Sequence, residues 1–154
     1  MKLRSFKRYG FTDETGKEVV PPKYDAVGMF YKGFAQVELN GKYGFVNEAG
    51  EEVVPPKYDD LGVFYNGFAR VELNGKYGFV NEAGKEVVSP KYDGVGLFDK
   101  GFAWVKLKDK YGFVNEAGKE VVPPMYDSVE VLNKGFARVE LNGKFYREML
   151  NKNL

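Results

Sequence analysis

Neither cysteine nor histidine occurs among the 154 residues. Without cysteine there is no disulfide, no thiolate metal ligand and no thiol nucleophile. Without histidine the chain lacks the commonest general base near neutral pH and the commonest metal ligand. Long apolar runs are missing as well. No segment approaches the roughly 18 consecutive apolar residues of a membrane-spanning helix. The basic start, Met1-Lys2-Leu3-Arg4-Ser5-Phe6-Lys7-Arg8, has no apolar stretch of the kind a signal peptide carries. Charge of one sign is lacking too: 23 basic residues face 22 acidic ones, a net +1. With the cations dispersed and matched by acids, nothing draws the chain to nucleic acid or to an anionic membrane. These absences lead to the expectation of a cytoplasmic, non-catalytic protein without cofactor or metal.

Glycine and aromatics are abundant, with 19 Gly, 11 Tyr and 13 Phe. Aromatics with regularly placed glycine predict short strands and tight turns. The regularity is a tandem repeat. Tyr9-Gly10-Phe11 recurs at Tyr43-Gly44-Phe45, Tyr77-Gly78-Phe79 and Tyr111-Gly112-Phe113, a period of 34 residues. Tyr24-Asp25 recurs with the same period at Tyr58-Asp59, Tyr92-Asp93 and Tyr126-Asp127, and Gly33-Phe34-Ala35 does so three more times. Helical repeats share this period, but no segment here shows an apolar period of 3.6.

Within a unit, Ala69, Val71 and Leu73 alternate with Arg70 and Glu72, the pattern of a half-buried strand. Asn74-Gly75 follows, a strong signal for a two-residue hairpin turn. Lys76-Tyr77-Gly78-Phe79-Val80 reads as the returning strand, and Asn81-Glu82-Ala83-Gly84 as the next turn. Lys85 to Val88 reads as a third strand ended by Ser89-Pro90, since proline cannot donate to a ladder. The stretch from Tyr92 to Phe98 reads as a short fourth strand or a crossover. The fold predicted is therefore all-β, a tandem array of 34-residue antiparallel meanders in a single domain. Its units are 9–42, 43–76, 77–110 and 111–144, preceded by an N-terminal strand over 1–8. After Gly143 the pattern changes to Phe145-Tyr146-Arg147-Glu148-Met149-Leu150, and 145–154 reads as a cap whose charges cover an exposed edge.

A lone meander cannot bury its apolar face, so neighbouring units must stack. A closed, propeller-like ring would remove free edges, and a ring sealed by complementary ends needs one terminus to supply what the other lacks. Residues 7–12 and 143–148 instead encode the same middle strand, which favours an open curved array over the ring.

These units resemble the bacterial WG-repeat (KWG-repeat) family. The matching residues are Asn40-Gly41-Lys42-Tyr43-Gly44-Phe45, Pro55-Pro56-Lys57-Tyr58-Asp59 and Gly67-Phe68-Ala69, with tyrosine where that family usually has tryptophan. The resemblance implies a repetitive β scaffold and brings no catalytic residues with it.

Two sets of candidate contact residues follow from the repeat. Positions that vary while the framework repeats are open to selection by a ligand. One outward slot of the Phe-Ala strand holds Gln36, Arg70, Trp104 and Arg138, and two residues further on stands Lys106 where the other units have Glu38, Glu72 and Glu140. A lone exposed Trp between two Arg has the composition of an interface hot spot, so a protein or peptide partner is expected there; the competing reading has Trp104 shielding a sheet face. The second set is the repeated pairs Tyr24-Asp25, Tyr58-Asp59, Tyr92-Asp93 and Tyr126-Asp127. They offer either a row of identical sugar-binding pockets, making the chain a multivalent glycan binder, or core tyrosines beside aspartates that satisfy turns. The strict register of these pairs with structural Gly and Pro favours core. Turn carboxylates Glu48, Glu82 and Glu116 are ordinary at such positions, and neither glycoside chemistry nor calcium binding fits their spacing.

Overall fold

The computed structural model describes residues 7–133 and 135–150. All regular structure among them is antiparallel sheet, in five separate sheets laid out along the chain. A pair, β1 (Tyr9–Thr12) and β2 (Glu18–Tyr24), comes first. Three four-stranded sheets follow. The first holds β3 (Ala26–Val27), β4 (Phe34–Leu39), β5 (Lys42–Asn47) and β6 (Glu52–Tyr58). The second holds β7 (Asp60–Leu61), β8 (Phe68–Leu73), β9 (Lys76–Asn81) and β10 (Glu86–Tyr92). The third holds β11 (Gly94–Val95), β12 (Phe102–Leu107), β13 (Lys110–Asn115) and β14 (Glu120–Tyr126). A final three-stranded sheet holds β15 (Ser128–Asn133), β16 (Phe136–Leu141) and β17 (Lys144–Met149). No sheet closes on itself, and the array is open, as the overlap of its ends predicts. The predicted N-terminal strand over 1–8 falls on residues 1–6, outside the described ones, while Lys7 and Arg8 precede β1 without strand pairing. The tail 151–154 of the predicted cap is likewise outside them.

The sheets are phased differently from the sequence units. Each 34-residue unit ends one sheet and begins the next, because Tyr-Asp is the crossover. Ser89-Pro90 and its counterparts do not end a strand: β10 runs from Glu86 through Tyr92. β10 is an edge strand, where a missing N–H costs no ladder bond. Its register against β9 jumps from Val88↔Phe79 to Tyr92↔Tyr77, so Ser89, Pro90 and Lys91 bulge opposite the single residue Gly78. That bulge is why the aromatic residue is followed by glycine. A Cβ on Gly78 would lie 2.2 Å from the Val88 carbonyl oxygen, and Gly10, Gly44 and Gly112 are crowded by Val20, Val54 and Val122 in the same way. The Asn74-Gly75 hairpin forms as expected, with positive φ at both residues (54° and 78°).

Neighbouring sheets pack face to face. The aromatic face of one sheet, with Phe45, Val54 and Tyr58, meets the small-residue face of the next, with Ala69, Val71 and Val80. The same pattern recurs at the next two interfaces, and the β1–β2 pair covers Ala35 and Val37 with Val20 and Tyr24. Between the short first strand and the second strand of each four-stranded sheet, a loop drops a phenylalanine into the interface: Phe64 lies 4.3 Å from Phe34 and Phe98 lies 4.2 Å from Phe68, centroid to centroid. Offset aromatic contacts of this kind add to plain burial.

Candidate binding site along the sheet notches

The repeated Tyr-Asp pairs are structural. Tyr24, Tyr58 and Tyr92 are each 1% exposed, so none presents a face to a sugar. Their hydroxyls donate across the interface to a glutamate of the next sheet: Tyr24 to Glu52 at 2.5 Å, Tyr58 to Glu86 and Tyr92 to Glu120 at 2.5 Å. Burial, reinforced by the glutamate bond, drives these phenols well above their ordinary range, and pushes Tyr126 up to about 12. Each aspartate bridges two sheets as well. Asp59 accepts the backbone N–H of Asn74 at 2.8 Å and pairs with Lys42 of the preceding sheet. Asp93 does the same with Lys108 N–H and Lys76, and Asp127 with Asn142 N–H and Lys110. Arg8 takes the lysine's place for Asp25. The lysine bond first, then the backbone N–H, holds the carboxyls of Asp59, Asp93 and Asp127 below the usual range. The sugar-pocket reading of Tyr24, Asp25, Tyr58, Asp59, Tyr92, Asp93, Tyr126 and Asp127 is therefore replaced by an inter-sheet clasp. The turn residues are equally engaged locally: Asn47 Oδ1 accepts the N–H groups of Ala49 and Glu51, leaving Glu48, Glu82 and Glu116 exposed on turns.

With the repeated polar groups spent on stacking, the open surface lies at the rim where each loop after the first strand meets the next sheet. Three notches recur there. The first is lined by Met29, Tyr31 and Gln36 on one side and Leu61 to Phe64 on the other. The second lies between Val63, Tyr65, Arg70 and Val95 to Leu97. The third lies between Leu97, Trp104 and Val129 to Val131. Their volumes are about 190, 320 and 380 Å³. That is at or below the low end for small-molecule sites and suits single side chains of a larger partner. The rim between them is apolar and exposed: Met29 is 90%, Val63 63% and Leu97 61% exposed, with Tyr31 and Tyr65 beside them.

The outward slot predicted from sequence falls on this rim for three of its four members. Gln36 is half-buried and reaches the Leu61 carbonyl at 3.4 Å. Arg70 is exposed and lies over the Tyr77 ring, 5.3 Å from its centroid. Trp104 is 36% exposed, edge-on to Tyr111 at 5.5 Å, and its indole rests on the backbone of Gly96, where a Cβ would meet Nε1 at 2.2 Å. The indole is thus partly a shield over Gly94 and Gly96 and partly an open surface. Lys106 sits over Tyr111 and 3.7 Å from Asp109. Arg138 itself lines none of the three notches: on the final sheet it pairs at 2.7 Å with Glu130, which borders the third, and covers Phe145. Sequence reasoning missed Met29, Val63 and Leu97. Their signal is an apolar residue of changing identity after Gly28, Gly62 and Gly96, in a segment without strand alternation.

The final sheet differs in kind. Tyr146 stands where the other sheets have the glycine under the bulge, and among the described residues β17 pairs with β16 alone. Glu148 on β17 receives the Tyr126 hydroxyl at 2.6 Å, the role taken elsewhere by a fourth-strand glutamate, and Leu150 is fully buried in the last interface. No helix of the described residues is long and apolar enough to cross a membrane.

Among solved structures, the chain is similar to PorZ, an essential bacterial surface component of the type-IX secretion system of Porphyromonas gingivalis. Identity is 13%, TM-score 0.45, covering 85% of this chain and 20% of that one. It is also similar to Hsv2 of Kluyvelomyces marxianus (11%, 0.44, 85% and 50%) and to YCF48 bound to D1 peptide (12%, 0.35, 84% and 49%). The chain thus spans half or less of each of these proteins. No curated protein matches it. The WG containing repeat matches four times in tandem, over residues 9–43, 43–77, 77–111 and 111–145, and the chain belongs to that family.

Proposed function

We propose that the chain is a non-catalytic scaffold that binds a protein or peptide along the rim of its sheet notches. One observation carries this reading: large apolar side chains recur with the 34-residue period at Met29, Val63 and Leu97, and stand in solvent while their neighbours Phe30, Phe64 and Phe98 fill the interfaces. Exposed apolar rows of this kind mark interaction surfaces. Three shallow side-chain-sized notches in series suit an extended chain laid across successive sheets. Glycan binding is the weaker reading, since the repeated tyrosines it needs are core residues. Aromatic groups on the rim do not recur in every unit: Tyr31 and Tyr65 share a slot that holds Asp99 in the next unit, and Trp104 shares one with Gln36 and Arg70.

The test is selection of a displayed random peptide library on the immobilised protein, followed by binding of the enriched peptides to a Met29→Ser, Val63→Ser, Leu97→Ser variant. Retained circular dichroism would certify its fold. Loss of binding by the variant supports the rim. Undiminished binding, or capture of oligosaccharides in place of peptides, would refute it.

A further inference from the structure

The three notches differ in charge. The third carries carboxylates, but each is already paired, Asp99 with Lys100 at 3.4 Å and Glu130 with Arg138 at 2.7 Å. The first and second carry no carboxylate in their linings. The second carries Arg70, whose guanidinium has no carboxylate within ion-pair distance among the described residues and rests only on the Tyr77 ring. Lys32 is in the same state. Its ammonium lies 5.3 Å from the Tyr31 ring, which lines the first notch, and 5.8 Å from the Tyr65 ring, which lines the second, with no anionic partner among the described residues. Asp60 and Glu72 share the Arg70 face, but they form the rung Asp60↔Glu72 beyond the Arg70 position, away from Val63 and Leu97. Lys42, Lys76 and Lys110 by contrast each have an aspartate, and Lys57 and Lys91, which also lack an ion pair among the described residues, lie over Tyr58 and Tyr92 and line none of the three notches. Arg70 and Lys32 are thus unmatched cations, and they flank an exposed apolar patch of Val63, Tyr65 and Leu97.

An arginine stacked on an aromatic ring is held in place while its N–H fork stays open to an acceptor, and a carboxylate is the acceptor its geometry matches. We propose that the second notch binds an extended acidic peptide, with an aliphatic side chain seated between Val63 and Leu97 and a neighbouring carboxylate on Arg70. Lys32 supplies a second positive charge toward the first notch. The proposal rests on the rim being the contact face and adds the chemistry of its partner. A nucleic acid is disfavoured because two cations beside bare aliphatic groups give too few phosphate contacts for affinity.

The peptides enriched by display selection are sequenced and then measured by fluorescence anisotropy against the parent, Arg70→Gln and Val63→Ser/Leu97→Ser proteins, with Arg147→Gln as a control on the final sheet. The expected result is enrichment of Asp or Glu one or two positions from an aliphatic residue. Arg70→Gln should weaken binding about 5-fold, the scale of an exposed ion pair, and Arg147→Gln should leave it unchanged. Peptides that depend on Val63 and Leu97 yet carry no acid, or ignore Arg70→Gln, overturn the acidic partner and leave the rim standing. Peptides indifferent to Val63 and Leu97, or no enrichment at all, overturn both. A deoxythymidine 20-mer that binds as well as the peptides and loses affinity with Arg70→Gln also overturns the assignment.

Discussion

Replacing Gly78 by alanine tests the account of the aromatic-glycine motif. A Cβ at Gly78 would stand 2.2 Å from the Val88 carbonyl oxygen and 2.7 to 2.8 Å from Ser89 C and Pro90 N, where ordinary contact begins at 3.4 Å. The obstacle is backbone, locked by a proline ring and by the pairings Val88↔Phe79 and Tyr92↔Tyr77 on either side. The bulge must therefore move away as a whole, carrying Tyr92 and Val88 out of the interface they fill with Ala103 and Val105. Overpacking of this kind costs about 1–3 kcal/mol, offset by roughly 0.4–1 kcal/mol from the stiffer unfolded chain, and the rigid obstacle places the net near 2 kcal/mol. In a chain of this length that corresponds to a fall in Tm of about 4–8 °C. Gly75→Ala is the control: a Cβ there meets nothing within 4 Å, so only the positive φ is penalised, at about 1 kcal/mol. Urea unfolding would be followed both by circular dichroism and by the fluorescence of Trp104, the sole tryptophan, which sits in the next sheet. Agreement of the two probes shows that the disturbed interface propagates through the stack. A Gly78→Ala protein as stable as the parent, or less perturbed than Gly75→Ala, would refute the steric reading.

Three further outcomes follow from the same contacts. Lys108 and Asp109 hold positive φ (52° and 65°) where the other hairpins have Asn-Gly, so Lys108→Asn with Asp109→Gly should stabilise the protein by about 1–2 kcal/mol in urea titration. Because the carboxyls of Asp59, Asp93 and Asp127 titrate below their unfolded value, their contribution is present above about pH 4 and is lost as pH falls through the lowered values. The acid limb of a stability profile should therefore flatten in Asp59→Asn and shrink in high salt. Gly96→Ala should displace the indole of Trp104 toward solvent, seen as a red-shifted emission maximum with little change in circular dichroism.

The period, the all-β class, the Asn-Gly hairpins and the open ends were legible because each depends on local residue type. Asn74 and Gly75 supply their own turn, and the overlap of 7–12 with 143–148 needs only counting. The phase of the sheets was hidden. Ser89-Pro90 looks like a strand stop in isolation and becomes a bulge only because Gly78, eleven residues earlier, leaves room under it. The tyrosine and aspartate roles were half legible. Their register with glycine and proline marks them as framework, but their partners Glu86 and Lys42 lie 28 and 17 residues away on another sheet. Arg138 shares a slot with Arg70 in the repeat and yet lies on an outer face, because no further sheet stacks on β16 and β17 among the described residues.

The repeat separates two kinds of residue by what they touch. The recurring tyrosine, aspartate and turn asparagine hold one sheet to itself or to the next: the tyrosine hydroxyl on glutamate, the aspartate on lysine and hairpin, the asparagine in its turn. Those links use the same atoms at each interface, so their positions are not free to vary without loosening the stack. At the rim no one link repeats from sheet to sheet, and there the units diverge: Met29, Val63, Leu97; Gln36, Arg70, Trp104; Tyr31, Tyr65, Asp99. The final sheet reinforces the division from the opposite side. It gives up the glycine for Tyr146 and has no fourth strand among the described residues, but it recovers the tyrosine's acceptor through Glu148 and the buried apolar group through Leu150. The interface chemistry is thus restored without its supporting strand among the described residues, while on the outer face of that sheet Arg138 closes on Glu130 as an ion pair. The contacts proposed for a partner therefore fall on the notches of the inner sheets, where Arg70 and Lys32 have no carboxylate of their own among the described residues.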